Sequence, residues 1–393
     1  MNDAIDNPVA YYDPDTCDLG EFTDLVDQET QREQVPHAAA IEKNIPIYDM
    51  AQLRSALEVS QTRRGLMAEW AQVLRSGAGV VALKGAYADT AVLDEATRIY
   101  EGIIADEKKR TGGGGDHFAA SGANDRIWNS LQKLCVASPE VFLNYFANTS
   151  IAAVCEAWLG PNYQMTAQVN LVHPGGAAQK AHRDYHLGFQ PADVSASYPA
   201  HVHDVSPILT LQGAVAHCDM PLESGPTKLL PFSQAYRPVY AAWRREDFRT
   251  LFEDRHVQLP LAKGDALFFS PALFHAAGAN TSQNIHRFAN LLQLSSAFGR
   301  AMETVDRDQM CKLLYPHAVR AKKEGTLNAA ELSAAIAATA EGYSFPTNLD
   351  RDPPTNGLAP ETQAAFFRRA LLEGIEEHKF AERLDQMGEA RRA

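Results

Sequence analysis

His182 and Asp184 stand two positions apart, and an imidazole and a carboxylate at this spacing could bind one metal ion. In an extended segment, alternate side chains point to the same face. A distant second histidine would complete the 2-His-1-carboxylate set that proteins use for non-haem Fe(II). His275 follows the apolar run FFSPALF, which would bury it. A buried imidazole needs a partner, either a metal or a backbone group. These three residues are the candidate iron ligands.

The spacing of the first two candidates is weak information when taken alone. With 13 histidines in 393 residues, chance is expected to give about one His-x-Asp triplet. A second triplet, formed by His217 and Asp219, is also present. The first triplet follows the glycine-containing segment PGGAAQKA, whereas the second ends the strand-like segment ILTLQGAVAHCDM. Residue types by themselves do not decide which of the two triplets binds the metal.

Three further polar residues occupy positions where a ligand could be bound. Arg287 lies twelve residues beyond His275 and opens the apolar segment FANLLQLSSAF. A guanidinium group binds a carboxylate through two parallel hydrogen bonds, which a lysine cannot reproduce. The alternative is an exposed arginine at a strand end. On the segment that leads to His182, Gln168 and Asn170 would share one face. Two interpretations are open: the two side chains contact ligands, or they face water at a sheet edge.

The order of several motifs resembles the phytanoyl-CoA dioxygenase (PhyH) family of Fe(II)- and 2-oxoglutarate-dependent oxygenases. The motifs are HRDYH, ESGPTKLLPFSQ and KGDALFFSPALFHAAGAN, followed by Arg287, and they lie between residues 162 and 296. The resemblance implies a mostly β core, a double-stranded β-helix (jelly roll, cupin-like) framed by N-terminal and C-terminal helices. It also implies that His182, Asp184 and His275 bind Fe(II), which favours the first triplet. Arg287 would then bind the distal carboxylate of 2-oxoglutarate.

The resemblance extends to weaker assignments. It implies that Asn170, Gln212 and Arg126 contact the co-substrate, although Arg126, in the segment NDRIWNSLQ, fits a surface arginine better. Gln168 and His186 are the expected substrate contacts. The alternative role of His186 is to support the metal ligands from the second coordination sphere. Relatives often carry a hydroxyl residue two positions after the distal histidine, where this chain has alanine. A second anchor for the distal carboxylate is therefore not predicted from that position.

An enzyme of this kind uses O2 to convert 2-oxoglutarate to succinate and CO2 while it hydroxylates a small-molecule substrate. One alternative is a related halogenase, but a halide replaces the carboxylate ligand there, and Asp184 is present in this chain. The other alternative is a catalytically silent jelly-roll binding protein. The sequence does not identify the substrate, which is either an acyl-CoA or a free metabolite.

Composition excludes several classes of partner. The formal charge of −13 and the pI near 5.5 argue against nucleic acids and anionic membrane surfaces, because both require clustered Lys and Arg. The five cysteines are scattered and form no CxxC motif, a pattern typical of reduced thiols in a cytosol. The first residues are acidic and lack the apolar run of a signal peptide. We therefore expect a cytoplasmic protein.

The chain is expected to divide into three regions. Residues 1–45 are polar and acidic, and predict a surface arm that is extended or partly disordered. Residues 46–300 predict the oxygenase domain, with helices followed by the many short strands of a jelly roll. Residues 301–393 predict a helical extension that could mediate homo-oligomer formation. The run Gly112–Gly115 lacks the lysine of a phosphate-binding loop, so it predicts a mobile connector or a lid.

Apolar periodicity and turn residues locate the individual elements. Helices are predicted over residues 50–76, 90–109, 126–135, 139–159, 306–323, 328–342 and 360–387. Strands are predicted over residues 80–83, 163–173, 208–219, 228–231, 256–260, 266–270 and 287–295.

Overall fold

The computed structural model describes residues 10–111, 122–344, 347–354, 356 and 358–392. These residues form β-strands and α-helices joined by short 3-10 turns. The strands are β1 Ala40–Glu42, β2 Ile45–Asp49, β3 Val80–Lys84, β4 Asn124–Ile127, β5 Gln164–Val172, β6 Thr210–Ala216, β7 Lys228–Leu229, β8 Ala266–Phe269, β9 His275–Ala276 and β10 Arg287–Ser295. The helices are α1 Leu19–Val26, α2 Met50–Leu53, α3 Ser60–Ser76, α4 Ala91–Thr111, α5 Ser130–Ala137, α6 Pro139–Phe146, α7 Thr149–Leu159, α8 Ala192–Ala196, α9 Ala200–Ile208, α10 Val239–Ala242, α11 Glu246–Arg255, α12 Arg307–Glu324, α13 Ala329–Thr339, α14 Gln363–Glu373 and α15 Glu377–Arg391.

Two sheets form the centre of the molecule. The large sheet has the strand order β1-β2-β3-β8-β6-β10-β5-β4, and the small sheet pairs β7 with β9. Single bridges from His182 to His275 and from Leu229 to Val257 extend the small sheet on both sides. The predicted double-stranded β-helix, framed by helices, is confirmed.

The large sheet has two faces of different character. On β10, Phe288, Leu292 and Leu294 belong to a hydrophobic core beneath the sheet that also includes side chains of the flanking helices. Their neighbours Arg287 and Gln293 point to the opposite face and line a cavity. This alternation follows from the two-residue repeat of an extended strand. The apolar residues of the central strands therefore anchor the sheet, and the polar residues between them reach the cavity.

The N-terminal segment differs from its prediction. Residues 19–26 form α1, and Phe22 is fully buried against Tyr236, Phe248 and Phe274. An aromatic residue enclosed in this way binds the segment to the body of the protein, because its burial removes a large apolar surface from water. The expectation of an extended arm is wrong for this part of the chain. Residues 1–9 lie outside the described residues.

Several predicted helices are shorter than expected. The prediction over residues 126–135 is wrong at its start, because Asn124–Ile127 is strand β4 and the helix begins at Ser130. Residues 139–159 form two helices, and the side chain of Asn148 accepts hydrogen bonds from the first amides of the second one. Residues 360–387 also divide, at Gly374, whose φ of 68° ends α14. Each break occurs at a residue that favours a helix cap.

One further predicted helix and one predicted strand are only partly formed. Helix predicted over residues 50–76 is interrupted between α2 and α3, and the strand predicted over residues 256–260 is reduced to the bridge at Val257. The run Gly112–Gly115 lies outside the described residues. Helices α12 to α15 contribute to the same hydrophobic core as the large sheet, and the domain boundary at residue 300 stays a prediction. No helix within the described ranges is long and apolar enough to cross a membrane.

Candidate functional site

His182 and His275 are brought together by backbone pairing. The amide of His182 donates to the carbonyl of His275 at 3.0 Å, and the reverse bond measures 3.3 Å. Directly paired residues of an antiparallel bridge carry neighbouring side chains, and the two imidazole rings have centroids 4.5 Å apart. The pairing of two distant segments thus places two candidate ligands side by side.

Asp184 completes the group on the same side. Its carboxylate oxygens lie 3.8 Å from Nε2 of His182 and 3.3 Å from Nε2 of His275. One ligand atom from each residue lies within 4.8 Å of the others. The Nδ1 atoms of the histidines donate to the carbonyls of Lys180 and Leu273, at 2.9 and 2.8 Å. These bonds fix the tautomers and direct both Nε2 lone pairs toward the carboxylate.

The pKa shifts of Asp184 and His182 also suit metal binding. Burial by itself raises the pKa of Asp184, but the neighbouring His182 and His275 and a hydrogen bond from Gln212 outweigh it and hold the pKa well below its usual range. Burial lowers the pKa of His182, with Asp184 opposing the effect. An ionised carboxylate and neutral imidazoles are the forms that bind a cation.

The second triplet does not form a comparable group. Both ring nitrogens of His217 are used by the protein, because Nδ1 pairs with the Thr97 hydroxyl at 2.8 Å and Nε2 with the Tyr145 hydroxyl at 2.9 Å. Asp219 instead accepts a hydrogen bond from the backbone amide of Lys263. Within the described residues, the group at His182, Asp184 and His275 has metal-ligand geometry, and the second triplet does not.

Arg287 is buried, with 7% of its surface exposed, and lines the cavity that contains the three residues above. Its Nη1 donates to the carbonyls of Ser224 and Gly278, at 3.0 and 3.1 Å. Among the described residues no carboxylate pairs with it, and burial lowers its pKa to about 10. The alternative of an exposed strand-end arginine is wrong. A buried cation without a counter-ion favours binding of an anion.

The ESGP turn supplies one of the two carbonyls that accept hydrogen bonds from Arg287. Gly225 has a φ of 72°, and a Cβ atom there would lie 2.2 Å from the carbonyl oxygen of Ala279. Only glycine allows this approach of two backbone segments. The turn thereby presents the Ser224 carbonyl next to that of Gly278, and the two carbonyls fix one end of the guanidinium group.

The cavity has a volume of about 620 Å³, within the range of sites for small molecules. Four further predicted residues line it, namely Gln168, Asn170, Gln212 and Arg126. All four are buried, so the alternatives of edge residues facing water and of a surface arginine are wrong. Gln212 donates its Nε2 to Asp184, and Arg126 donates to Gln168 at 3.2 Å. The Oδ1 of Asn170 and the Oε1 of Gln212 have no hydrogen-bond partner among the described atoms.

His186 does not line the cavity. Its Nδ1 pairs with the hydroxyl of Ser206 at 3.0 Å, and its expected contact with substrate stays a prediction. The sequence also missed Tyr185, whose hydroxyl donates to Oε1 of Gln293 at 2.7 Å. Gln293 lines the cavity, and its even spacing from Arg287 on one strand was a signal that could have identified it. No pattern indicated the φ of 64° at Tyr185.

Comparison with known proteins gives several matches. One is the dioxygenase andF of Emericella variicolor, which is 28% identical over 144 residues. That match covers 34% of this chain and 43% of the relative, so the chain matches less than half of that protein's length. Among solved structures, the epimerase SnoN in complex with Fe3+, alpha ketoglutarate and nogalamycin RO is 19% identical with a TM-score of 0.41, covering 61% of this chain and 85% of that one. The alpha ketoglutarate dependent carbocyclase SnoK is 18% identical with a TM-score of 0.39, covering 62% and 86%.

The family comparison covers the region in which the site lies. The sequence profile described as phytanoyl-CoA dioxygenase (PhyH) matches residues 76–289, more than half of the chain. The matched range contains the three candidate ligands, strands β5 and β6, and Arg287 at the start of β10. The chain belongs to the phytanoyl-CoA dioxygenase (PhyH) family.

Proposed function

We propose that this protein is an Fe(II)- and 2-oxoglutarate-dependent dioxygenase that hydroxylates a small molecule and releases succinate and CO2. The observation that carries the proposal is the position of two groups in one cavity. His182, Asp184 and His275 offer ligand atoms within 4.8 Å of one another, and the buried guanidinium of Arg287 lines the same space.

The residues fit the metal and the co-substrate. Two imidazoles and one carboxylate are the donor set that non-haem Fe(II) oxygenases use, and hydrogen bonds fix the orientation of all three. Arg287 carries the charge and the planar donor geometry that match a carboxylate. With iron bound, the metal and 2-oxoglutarate supply the oxidation of the substrate by O2.

The protein's own residues bind and orient the metal ligands, the co-substrate and the substrate. Gln212 donates to one carboxylate oxygen of Asp184 and thereby restrains the rotation of the side chain. Asn170 and Gln212 line the cavity, and each has a buried amide oxygen without a hydrogen-bond partner among the described residues, which a bound ligand or water could satisfy. Arg126 on β4 donates a hydrogen bond to Gln168 on β5. We assign Arg287, Asn170, Gln212 and Arg126 to the co-substrate and Gln168 to the substrate.

Two other functions are less well supported. A halogenase requires an open position where this chain supplies Asp184, whose carboxylate is placed beside both histidines. A silent binding protein has no need for three converging ligands together with a buried arginine. The protein is expected to act in the cytoplasm, and helices α12 to α15 are the proposed contacts of a homo-oligomer.

The metal site is tested by iron content. His182→Ala and Asp184→Ala should give folded protein that lacks stoichiometric Fe(II) after anaerobic loading, because each change removes a ligand. His217→Ala is the control, since it removes the histidine of the second triplet and should retain iron. The reverse result would move the site to Asp219.

The reaction is tested separately. Wild-type protein with Fe(II), O2 and a metabolite pool should release succinate from 2-oxoglutarate, and mass spectrometry should identify a metabolite heavier by one oxygen atom. Iron binding without succinate release under these conditions would favour the silent binding protein.

A further inference from the structure

Among the described residues, the charged side chains that line the cavity are mostly positive. Arg126, Lys180, Arg183 and Arg287 are cationic, and Asp184 is acidic. The whole chain has a formal charge of −13, so the cavity differs in sign from the protein around it. A cleft lined by one sign of charge concentrates ligands of the opposite sign. Iron would engage Asp184, and 2-oxoglutarate would engage Arg287 and Arg126, which leaves the other two cations of the cavity for the substrate.

A second group of cations lies at the cavity wall formed by Trp243. The guanidinium carbon of Arg244 is 4.1 Å from the centroid of the Trp243 ring, and that of Arg249 is 5.4 Å from it. Arg244 also donates to the carbonyls of Gly188 and Gln190. Because Gly188 and Trp243 both line the cavity, Arg244 is in direct contact with its wall.

These two arginines lack the acidic partners that their neighbours have. Arg237, Arg245 and Arg255 each form an ion pair with an aspartate. In the described part of the chain, no carboxylate lies within ion-pair distance of Arg244 or Arg249. Three donors of the group, Nε1 of Trp243, Nη1 of Arg244 and Nε of Arg249, are buried without a hydrogen-bond partner among the described atoms.

Such an arrangement is unfavourable unless an anion is bound. Burial and the nearby charge of Arg249 lower the pKa of Arg244, because two like charges repel each other and both are partly removed from water. Contact with one aromatic ring stabilises a cation only weakly, and each buried donor without a hydrogen-bond partner is unfavourable. An oxyanion would accept hydrogen bonds from these donors and would compensate both charges.

We propose that the substrate of this site carries an oxyanion, a carboxylate or a phosphate ester, that Arg244 and Arg249 bind beside Trp243. Its apolar portion then lies along Trp243 and Phe189, two aromatic side chains that line the same cavity as the candidate iron ligands. Phe189 is 55% exposed, as expected of an aromatic residue at the entrance of a cavity that receives an apolar group. The identity of the bound molecule as substrate rests on the proposed function.

The test uses three probes that share one aromatic skeleton, 2-naphthoate, 2-naphthyl phosphate and the neutral 2-naphthamide. Calorimetry on the iron-free wild-type protein should show at least one anion binding about tenfold or more tightly than the amide, since a charge-assisted hydrogen bond has about this effect. The anion with the higher affinity distinguishes a carboxylate substrate from a phosphate ester.

Four variants locate the effect. The preference for the anion should disappear in Arg244→Gln and in Arg249→Gln. It should remain in Arg255→Gln, a control on the same helix as Arg249, because Arg255 already pairs with Asp27. Arg287→Gln should also retain it.

The proposal is overturned if the amide binds as tightly as both anions, if no probe binds, or if Arg287→Gln alone removes the preference. Because the measurement needs neither iron nor 2-oxoglutarate, its failure is distinct from a failure of the proposed reaction, which the succinate assay reports.

Discussion

Arg287→Lys isolates the role of the guanidinium group because it keeps the positive charge. In the wild-type protein, Nη1 uses its two hydrogens on the carbonyls of Ser224 and Gly278. The remaining donors, on Nε and Nη2, make no hydrogen bond to the described residues, and they form a planar pair that matches a carboxylate. A lysine ammonium cannot contact both carbonyls and both carboxylate oxygens with the same geometry.

The expected effect follows from the loss of one of two charge-assisted hydrogen bonds. Such a bond contributes about 2 kcal/mol, which corresponds to about a thirtyfold weaker affinity for 2-oxoglutarate. Iron content should be unchanged, because Arg287 makes no contact with His182, Asp184 or His275. The assay is the 2-oxoglutarate concentration that gives half-maximal succinate release, with iron measured on the same preparation.

Arg307→Lys is the matched control for loss of a buried guanidinium. Arg307 donates to the carbonyls of Thr339 and Met165 at 3.0 and 3.2 Å, and burial lowers its pKa as it does for Arg287. Arg307 does not line the cavity, so this change should lower the melting temperature without raising the requirement for 2-oxoglutarate. If Arg287→Lys retained both iron and the wild-type requirement for 2-oxoglutarate, the assignment of the co-substrate to Arg287 would be refuted.

Three further predictions address other residues. Gln212→Leu should weaken Fe(II) affinity about 10- to 100-fold, because the partner that orients Asp184 is lost; equilibrium titration measures this. Burial lowers the pKa of His217 to about 3 from its usual 6.5, so the unfolded state binds the proton first and stability should fall as pH drops from 6.5 toward 3. At pH 5 this amounts to about 2 kcal/mol, and His217→Asn should remove that part of the pH dependence in thermal unfolding. Finally, Asp184 stands where a halide binds the metal in related halogenases. Mass spectrometry of the product should therefore detect added oxygen and no chlorine, even in high chloride.

Each of these has a clear contrary result. Unchanged iron affinity in Gln212→Leu would mean that Asp184 is oriented by the two histidines alone. A His217→Asn protein that loses stability between pH 7 and pH 5 as the wild-type protein does would show that another group carries this dependence. A chlorinated product would overturn the assignment of Asp184 as a metal ligand.

The sequence by itself determined the elements that local physics controls. The strand over residues 287–295 and the alternation of polar and apolar residues along it were readable, because a strand exposes successive side chains to opposite faces. The order of the motifs also identified the family and the three candidate ligands. Helix ends were less accurate, because a single capping residue such as Asn148 or Gly374 can stop a helix whose apolar periodicity continues.

Only the tertiary structure decided which polar residues meet. The sequence could not choose between the two His-x-Asp triplets without the family motifs, whereas the bridge between His182 and His275 separates them by geometry. Arg126, which was expected at the surface, is buried on β4 and lines the cavity. The arginines around Trp243 carried no sequence signal at all. Contacts of this kind join segments far apart in the chain, and they depend on sheet pairing and packing that local residue preferences do not encode.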